Sequence, residues 1–326
     1  MGSGSNRFQL FAIVLLLGLL AGCSRSDTTV WDDNPDGRLQ VVATFSIIED
    51  LVNEIGGDRV ALRTFVPREG DPHTFEATPS DNRVLSGADI VFEIGRGFEP
   101  WLNPLYRSSR SRAQRIVLTD DVELLPVPSD RGRNGEHDAC DDSEKDPHIW
   151  HDVARTRQMV ETIAAALAEL DPSNAEVYAS NTRRYLEELR ELDAWILSRT
   201  ETLPLEQRKL FTGHDVFRYF AQRYGFEVVG SALGATSTDV FDPAASQLRY
   251  QIRTLRAEQL PIVFPEQGSN PRLLTQIAQE AGASVGPSLY TGSLSRKGGE
   301  ATSYIQMMRY NVDTLVSHLE PRQREL

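Results

Sequence analysis

Three features of the sequence predict an α/β fold of two lobes, each a mostly parallel sheet flanked by helices, joined by one long backbone helix with a cleft between the lobes. Apolar strand-like runs alternate with helical patterns in both halves of the chain, as in parallel sheets covered by helices. The runs are continuously apolar, which is typical of strands buried on both faces. Between the halves, from Val153 to about Leu203, helical patterns occur without a strand signal.

Four strand-like runs mark the first half of the chain, and amphipathic patterns at Ser46–Gly57 and near Ser80–Ala88 predict helices between them. The runs are Leu39–Phe45, Val60–Val66, Asp89–Gly95 and Arg115–Asp120. We expect residues 39–172 to form an N-terminal lobe. Residues 126–147 lack periodicity and are rich in acidic side chains, which predicts a mobile, solvated loop that could concentrate cations.

The middle of the chain predicts two consecutive helices. Asp152 suits the N-cap of a helix that runs to Leu170, and Pro172 suits the first turn of the next helix. That next helix extends to about Leu203, and its apolar residues recur every three or four positions. We expect residues 173–204 to be the helix that links the lobes; a plain crossover helix within one domain is the alternative.

The second half repeats the alternation of strands and helices, so residues 205–326 are expected to form a C-terminal lobe. Its strand-like runs are Lys209–His214, Glu227–Leu233, Pro261–Glu266 and Ala283–Leu289. The helical patterns that separate them are Asp215–Gly225, Asp242–Gln259 and Asn270–Gly282.

The first residues are expected to direct export and anchoring. The apolar run Phe8–Ala21 is shorter than the roughly 20 residues that span a bilayer and fits the apolar region of a secretory signal. It is followed by Gly22 and Cys23, and the stretch Leu-Ala-Gly-Cys resembles the bacterial lipobox. We expect a lipoprotein signal peptide at 1–22, a lipid on Cys23 and a flexible tether at 23–38. The protein would then be extracytoplasmic and anchored to the bacterial membrane, in the periplasm or at the cell surface.

The charge balance narrows the class of partner. The chain has 34 basic and 47 acidic residues, for a formal net charge of −13 at pH 7. This balance argues against nucleic acid as a partner, because a nucleic-acid binder needs a basic face to neutralise phosphates. Cys23 and Cys140 are the two cysteines of the sequence, so a lipid on Cys23 leaves Cys140 without an intramolecular partner.

Three of the six histidines follow predicted strands. His73 and His148 lie in loops after strands of the first half, and His214 ends the first strand of the second half. Ligands bind beyond the carboxyl ends of strands in open α/β sheets, so we expect the three to meet in the cleft. Neutral imidazoles are good ligands of Zn²⁺. His151 is expected beside these ligands or at the surface, with ligation of the metal as the alternative, and His318, in the last helix, is expected at the surface.

Five motifs and the lipobox carry a family resemblance. The motifs are DPHTFEATPSD at 71–81, GFEPWL at 97–102, DPHIWHD at 146–152, TGHDVFRYFA at 212–221 and YIQMMRYNVDTL at 304–315. With them the chain resembles the substrate-binding lipoproteins of bacterial ABC importers for zinc and manganese, the cluster A-I class, over essentially the whole mature chain. The resemblance implies a metal in the cleft, held by His73, His148 and His214, and an importer permease as partner.

The chain departs from the family at one ligand position. Members usually have an aspartate ligand in a Tyr-x-Asp-Ser-Leu stretch, where this sequence has Gly292, which offers no side chain to a metal. Glu266 closes a predicted strand and is the first candidate for the fourth metal ligand; its alternative role is to orient a ligand imidazole. Water, Glu76 and Asp239 are the other candidates.

These observations predict a monomeric receptor, not an enzyme, that captures Zn²⁺ with high affinity outside the cytoplasm and delivers it to an ABC permease. Mn²⁺ is the alternative cargo, but three neutral nitrogens suit zinc better, because manganese prefers more oxygen ligands. A zinc hydrolase is a further alternative, weakened by the lack of a His-Glu-x-x-His motif in the sequence. A surface adhesin is the last alternative. The lipid anchor is compatible with that function, but no motif in the sequence requires it.

Overall fold

A computed structural model describes residues 31, 34, 37–127, 145–239 and 244–320. They form the expected α/β architecture of parallel sheets flanked by helices. The expected signal peptide, Cys23 with its lipid, and Cys140 lie outside the described residues, as do most of the tether and most of the acidic loop. Within the described ranges, no helix combines the length and the apolar character needed to cross a bilayer.

The N-terminal sheet has four parallel strands, which are β1 (Leu39–Ala43), β2 (Val60–Thr64), β3 (Ile90–Glu93) and β4 (Gln114–Val117). Their order in the sheet is β2-β1-β3-β4. The helices that connect them are α1 (Ser46–Gly56), α2 (Pro79–Ser86) and α3 (Leu102–Ser109). Helix α3 was not predicted, because it is short and contains Pro104, so its apolar periodicity is weak.

The C-terminal lobe contains the parallel pairs β5 (Lys209–Thr212) with β6 (Glu227–Ser231), and β7 (Ile262–Val263) with β8 (Ser284–Val285). Helices α4 (Val153–Leu170) and α5 (Ala175–Thr200) precede this lobe in the chain, and its own helices are α6 (Arg218–Tyr224), α7 (Ala245–Ala257), α8 (Arg272–Ala281) and α9 (Tyr304–Leu319). A parallel bridge between Thr212 and Phe264 joins the two pairs. Strands β7 and β8 are shorter than predicted because Pro265 and Pro287 have no N–H to donate to the ladder.

Two helices lie between the lobes. Helix α4 (Val153–Leu170) begins at the predicted cap, where the Asp152 carboxylate accepts a hydrogen bond from the N–H of Ala154 at 2.8 Å. Helix α5 (Ala175–Thr200) has 26 residues, and is about 39 Å long at 1.5 Å per residue. It packs against α1, α4 and α9. The lobes and α5 share one continuous hydrophobic core.

Candidate metal centre

The first Asp-Pro-His turn follows β2 and carries His73. The Asp71 carboxylate accepts a hydrogen bond from the backbone N–H of His73 at 2.9 Å, which sets the turn. The indole N–H of Trp101 donates to the carbonyl of Pro72 at 2.8 Å. The ring of Phe98 packs edge-on against the imidazole of His73, with centroids 4.6 Å apart. The turn is therefore held from both sides, and the side chain of His73 is 6% exposed.

The second Asp-Pro-His turn leads into α4 and carries His148. Here the carboxylate of Asp146 accepts from the backbone N–H of His148 at 3.0 Å and also lies 2.9 Å from Nδ1 of its ring. Burial holds the pKa of His148 well below its ordinary value, so the imidazole is neutral. A neutral ring that donates from Nδ1 to a carboxylate keeps the lone pair of Nε2 free for a metal.

His214 lies just beyond β5, in contact with Glu266. Its backbone N–H donates to Oε1 of Glu266 at 2.9 Å, and Oε2 lies 2.5 Å from Nδ1, a short contact poorly aligned for a hydrogen bond. The hydroxyl of Thr291 also donates to Oε2. Burial lowers the pKa of His214, but the facing carboxylate outweighs burial and the pKa is raised. A Cβ at Gly213 would lie 2.9 Å from Oε1, so the glycine permits this close approach.

The structure brings the three predicted histidines together. One nitrogen of each ring lies within 4.8 Å of the others, and all three side chains are buried. The Nε2 atoms of His73 and His148 are 3.3 Å apart. A tetrahedron with zinc–nitrogen bonds of about 2.0–2.1 Å has an edge of roughly 3.3–3.4 Å. The pair is therefore spaced as two ligands of one zinc ion would be.

The carboxylates considered as a fourth ligand are not part of this group of three histidines. Among the described residues, the group that could hold a metal consists of the three histidines and does not include Glu266. Both oxygens of the Glu266 carboxylate are turned to His214. Glu76 and Asp239 are exposed and do not line the cavity at the histidines, whereas Glu266 and Gly292 do line it.

The two remaining described histidines differ in their surroundings. His151 is fully buried, contrary to the surface alternative, and packs between Trp150 and Phe217, with its ring centroid 4.7 Å from that of Phe217. It does not line the cavity. His318 is exposed on α9, as predicted, and its Nδ1 lies 2.8 Å from the carbonyl of Thr314.

A contact between the lobes was missed by the sequence reasoning. The hydroxyl of Thr238, in the loop after β6, donates to the Asp71 carboxylate at 2.6 Å. The hydroxyl of Ser237 lies 3.4 Å from Nδ1 of His73. This loop of the C-terminal lobe thus reaches the first Asp-Pro-His turn. The small polar residues of this loop show no hydrophobic periodicity. The two neighbouring hydroxyl side chains, Ser237 and Thr238, are therefore the only feature of the sequence that could have indicated this contact.

Glu99 was also missed, although it lies in the GFEPWL motif. Its buried carboxylate accepts hydrogen bonds from the hydroxyl of Thr44 and from the backbone N–H groups of Ile94 and Gly95. Burial raises its pKa to about 7. The carboxylate joins the ends of β1 and β3 and so positions the neighbouring Phe98, which packs against His73 and His148.

Comparison with known proteins identifies the family. The family model described as "Zinc-uptake complex component A periplasmic" matches residues 41–318. The chain belongs to this family. Its members are metal-binding, substrate-binding components of ABC importers and not enzymes, which confirms the predicted class and removes the hydrolase alternative.

Individual relatives span nearly the whole chain. The manganese-binding lipoprotein MntA of Halalkalibacterium halodurans is 33% identical over 95% of this chain and 97% of its own length. The iron-binding protein YfeA of Yersinia pestis is 30% identical over 94% of each chain. The periplasmic zinc-binding protein TroA of Treponema pallidum superposes with a TM-score of 0.78 at 26% identity, over 87% of this chain and 100% of its own. Because these relatives are named for three metals, the cargo must be argued from this chain's own site.

Proposed function

We propose that the protein captures one Zn²⁺ ion per chain outside the cytoplasm, with His73, His148 and His214 as ligands, and delivers it to the permease of an ABC importer. The observation that carries this proposal is the convergence of three buried imidazoles whose ligand atoms lie within 4.8 Å of one another. Glu266 serves the site by orienting His214 and is not itself a ligand.

The donor set favours zinc. Three imidazole nitrogens are a common zinc ligand set, and the spacing of the Nε2 atoms of His73 and His148 fits tetrahedral zinc. Manganese prefers carboxylate, carbonyl and water oxygens, and among the described residues no carboxylate joins the three imidazoles. Mn²⁺ is the second candidate cargo, because MntA, which is 33% identical, is named for manganese.

The surroundings of the ligands prepare them for a metal. The side of each ring that carries Nδ1 faces a partner: Ser237 for His73, Asp146 for His148 and Glu266 for His214. Such partners fix the orientation and the tautomer of a ligand imidazole. Since the rings already converge, little reorganisation accompanies binding, and this favours tight capture.

The remaining parts of the proposal concern how the receptor is held. We propose that Cys23 carries a lipid that anchors the chain to the bacterial membrane, and that residues 24–38 act as the tether. The relative MntA is itself named a lipoprotein. The lobes, with boundaries near residues 172 and 204, would present the loaded site to the permease as a monomer.

A competition titration tests the cargo. Residues 24–326 are titrated with Zn²⁺ and with Mn²⁺ against a chromophoric chelator. We expect one tight zinc ion per chain and far weaker manganese, and His318→Ala, on the exposed face of α9, serves as the unchanged control. Equal or tighter manganese binding would contradict the zinc assignment, and the absence of tight binding of either metal would contradict the receptor function.

A further inference from the structure

We infer that Gly292 keeps the fourth coordination position of the three-histidine site open, so that the bound metal takes its fourth ligand from solvent, as water or as a small anion. This inference rests on the proposed function, because it concerns the metal held by the same histidines. It makes Gly292 a residue that determines the coordination of the cargo.

The carboxylates of Asp71, Asp146 and Glu266, which lie close to the three rings, are each already engaged by backbone or side-chain donors. Asp146 contacts Nδ1 and the backbone N–H of His148, and Glu266 does the same for His214. Asp71 accepts from the backbone N–H of His73 and from the hydroxyl of Thr238. A carboxylate that turned inward to the metal would have to leave these donors buried and unpaired, which is costly.

Gly292 forms part of the cavity wall on which the rings open. It lines the same cavity as His73, His148 and His214 and is partly exposed, so solvent reaches this side. Its φ angle does not lie in the left-handed region that favours glycine. A Cβ there would meet Cδ of Pro72 at 3.2 Å, so Pro72 would have to shift by a few tenths of an ångström. The backbone angles therefore do not demand glycine at this position, and the glycine adds no ligand atom to its part of the cavity wall.

The size of the cavity fits a small ligand. Its volume is about 20 Å³, and a water molecule needs roughly 10–15 Å³. This is space for one or two water-sized species, such as an ion together with one small ligand. The three imidazoles are neutral ligands, so the metal keeps its double positive charge, and a buried charge favours a partner of opposite sign.

Cobalt substitution makes the fourth position visible. Residues 24–326 are loaded with Co²⁺, and the visible absorption of the metal is followed while azide, and separately chloride, is added. We expect a saturable change with one anion bound per cobalt. In Gly292→Asp the new carboxylate reaches the open position, so the response to the anions is lost. Gly292→Ala, which adds the same Cβ without a ligand atom, retains the response.

The possible results separate this inference from the proposed function. Stoichiometric Co²⁺ binding by the unmodified chain with no anion response would overturn the open position while leaving the metal receptor intact. An anion response in Gly292→Asp equal to that of Gly292→Ala would also overturn the role of Gly292. Failure of the unmodified chain to bind Co²⁺ or Zn²⁺ would overturn the receptor function, and the inference with it.

Discussion

The two Asp-Pro-His turns share a tripeptide but hold their histidines in different ways. In the turn that precedes α4, the aspartate is fully buried and contacts the ring of its own histidine, so the carboxylate orients His148 directly. In the turn after β2, one oxygen of Asp71 contacts the backbone of His73 but not its ring. The other oxygen accepts a hydrogen bond from Thr238 of the other lobe. The ring of His73 faces Ser237, which is also on the other lobe.

His148 and His73 therefore differ in what orients their rings. His148 is oriented by the aspartate of its own turn, whereas the partners of His73 are in place only when the loop after β6 reaches the cleft. A metal that binds His73 and His214 together therefore stabilises the arrangement in which the lobes touch. Such differential affinity is what couples a ligand to a conformational equilibrium.

Removal of a ligand should have the largest effect. We expect His148→Ala, His73→Ala and His214→Ala each to weaken zinc binding by more than about 100-fold, since even partners of ligands are commonly worth 10–100-fold. Chelator competition measures the change, and His318→Ala should leave the affinity as it is. A variant of the three that keeps its affinity would remove that histidine from the site.

The next effect tests the asymmetry of the two turns directly. Asp146→Asn should weaken zinc binding by about 10–100-fold, because it removes the carboxylate that orients the ring of His148. Asp71→Asn is the matched variant and should cost clearly less, because Asp71 does not contact a ring. Equal losses in the two variants, measured in the same titration, would contradict the distinction between the turns.

The third histidine, His214, differs from His73 and His148 in that zinc binding should release a proton from it. Glu266 raises the pKa of His214 above its ordinary 6.5, so at pH 6.5 the metal-free site holds a proton that zinc must displace. Zinc affinity should therefore fall as the pH falls through this raised pKa. Burial keeps His73 and His148 neutral there, so they release no proton.

Glu266→Gln removes the cause of that shift. Burial then acts unopposed and lowers the pKa of His214, so fewer protons are released per zinc at pH 6.5, and the affinity depends less on pH. Calorimetry in buffers of different ionisation enthalpy counts the protons. An unchanged proton count in Glu266→Gln would show that the proton does not come from the pair of His214 and Glu266.

The smallest effect is expected at the contact between the lobes. Thr238→Val removes one hydrogen bond to Asp71, and a bond worth about 0.5–1.5 kcal/mol corresponds to roughly a 2- to 10-fold faster release of zinc. Stopped-flow mixing with excess chelator measures the release rate. Thr254→Val, a partly buried threonine on α7, is the matched control. A release rate in Thr238→Val equal to that of the control would mean that the contact does not hold the metal in place.

The positions of the ligands could be predicted from the sequence because they follow from strand topology. His73, His148 and His214 come after parallel strands, and the carboxyl ends of such strands face the cleft. The role of Glu266 could not be predicted in the same way. Its position beyond β7 was expected, but which side of His214 it contacts depends on the close approach that Gly213 permits.

The contacts made by irregular loops could also not be predicted from the sequence. Ser237 and Thr238 lie in a stretch with no hydrophobic period, so nothing in the pattern indicates that they cross to the other lobe. Buried His151 shows the same limit, because a histidine next to an N-cap is as compatible with a surface as with an aromatic core. Helix α3 escaped prediction because Leu102 and Leu105 are too few to establish a period.

A crystal structure of the zinc-loaded chain tests the central claim most directly. We predict one zinc ion with Nε2 of His73, His148 and His214 at about 2.0–2.1 Å, a solvent-derived fourth ligand beside Gly292, and Glu266 still on Nδ1 of His214. Entry of the Glu266 carboxylate into the coordination sphere, or a position of any of the three histidines outside it, would contradict this account.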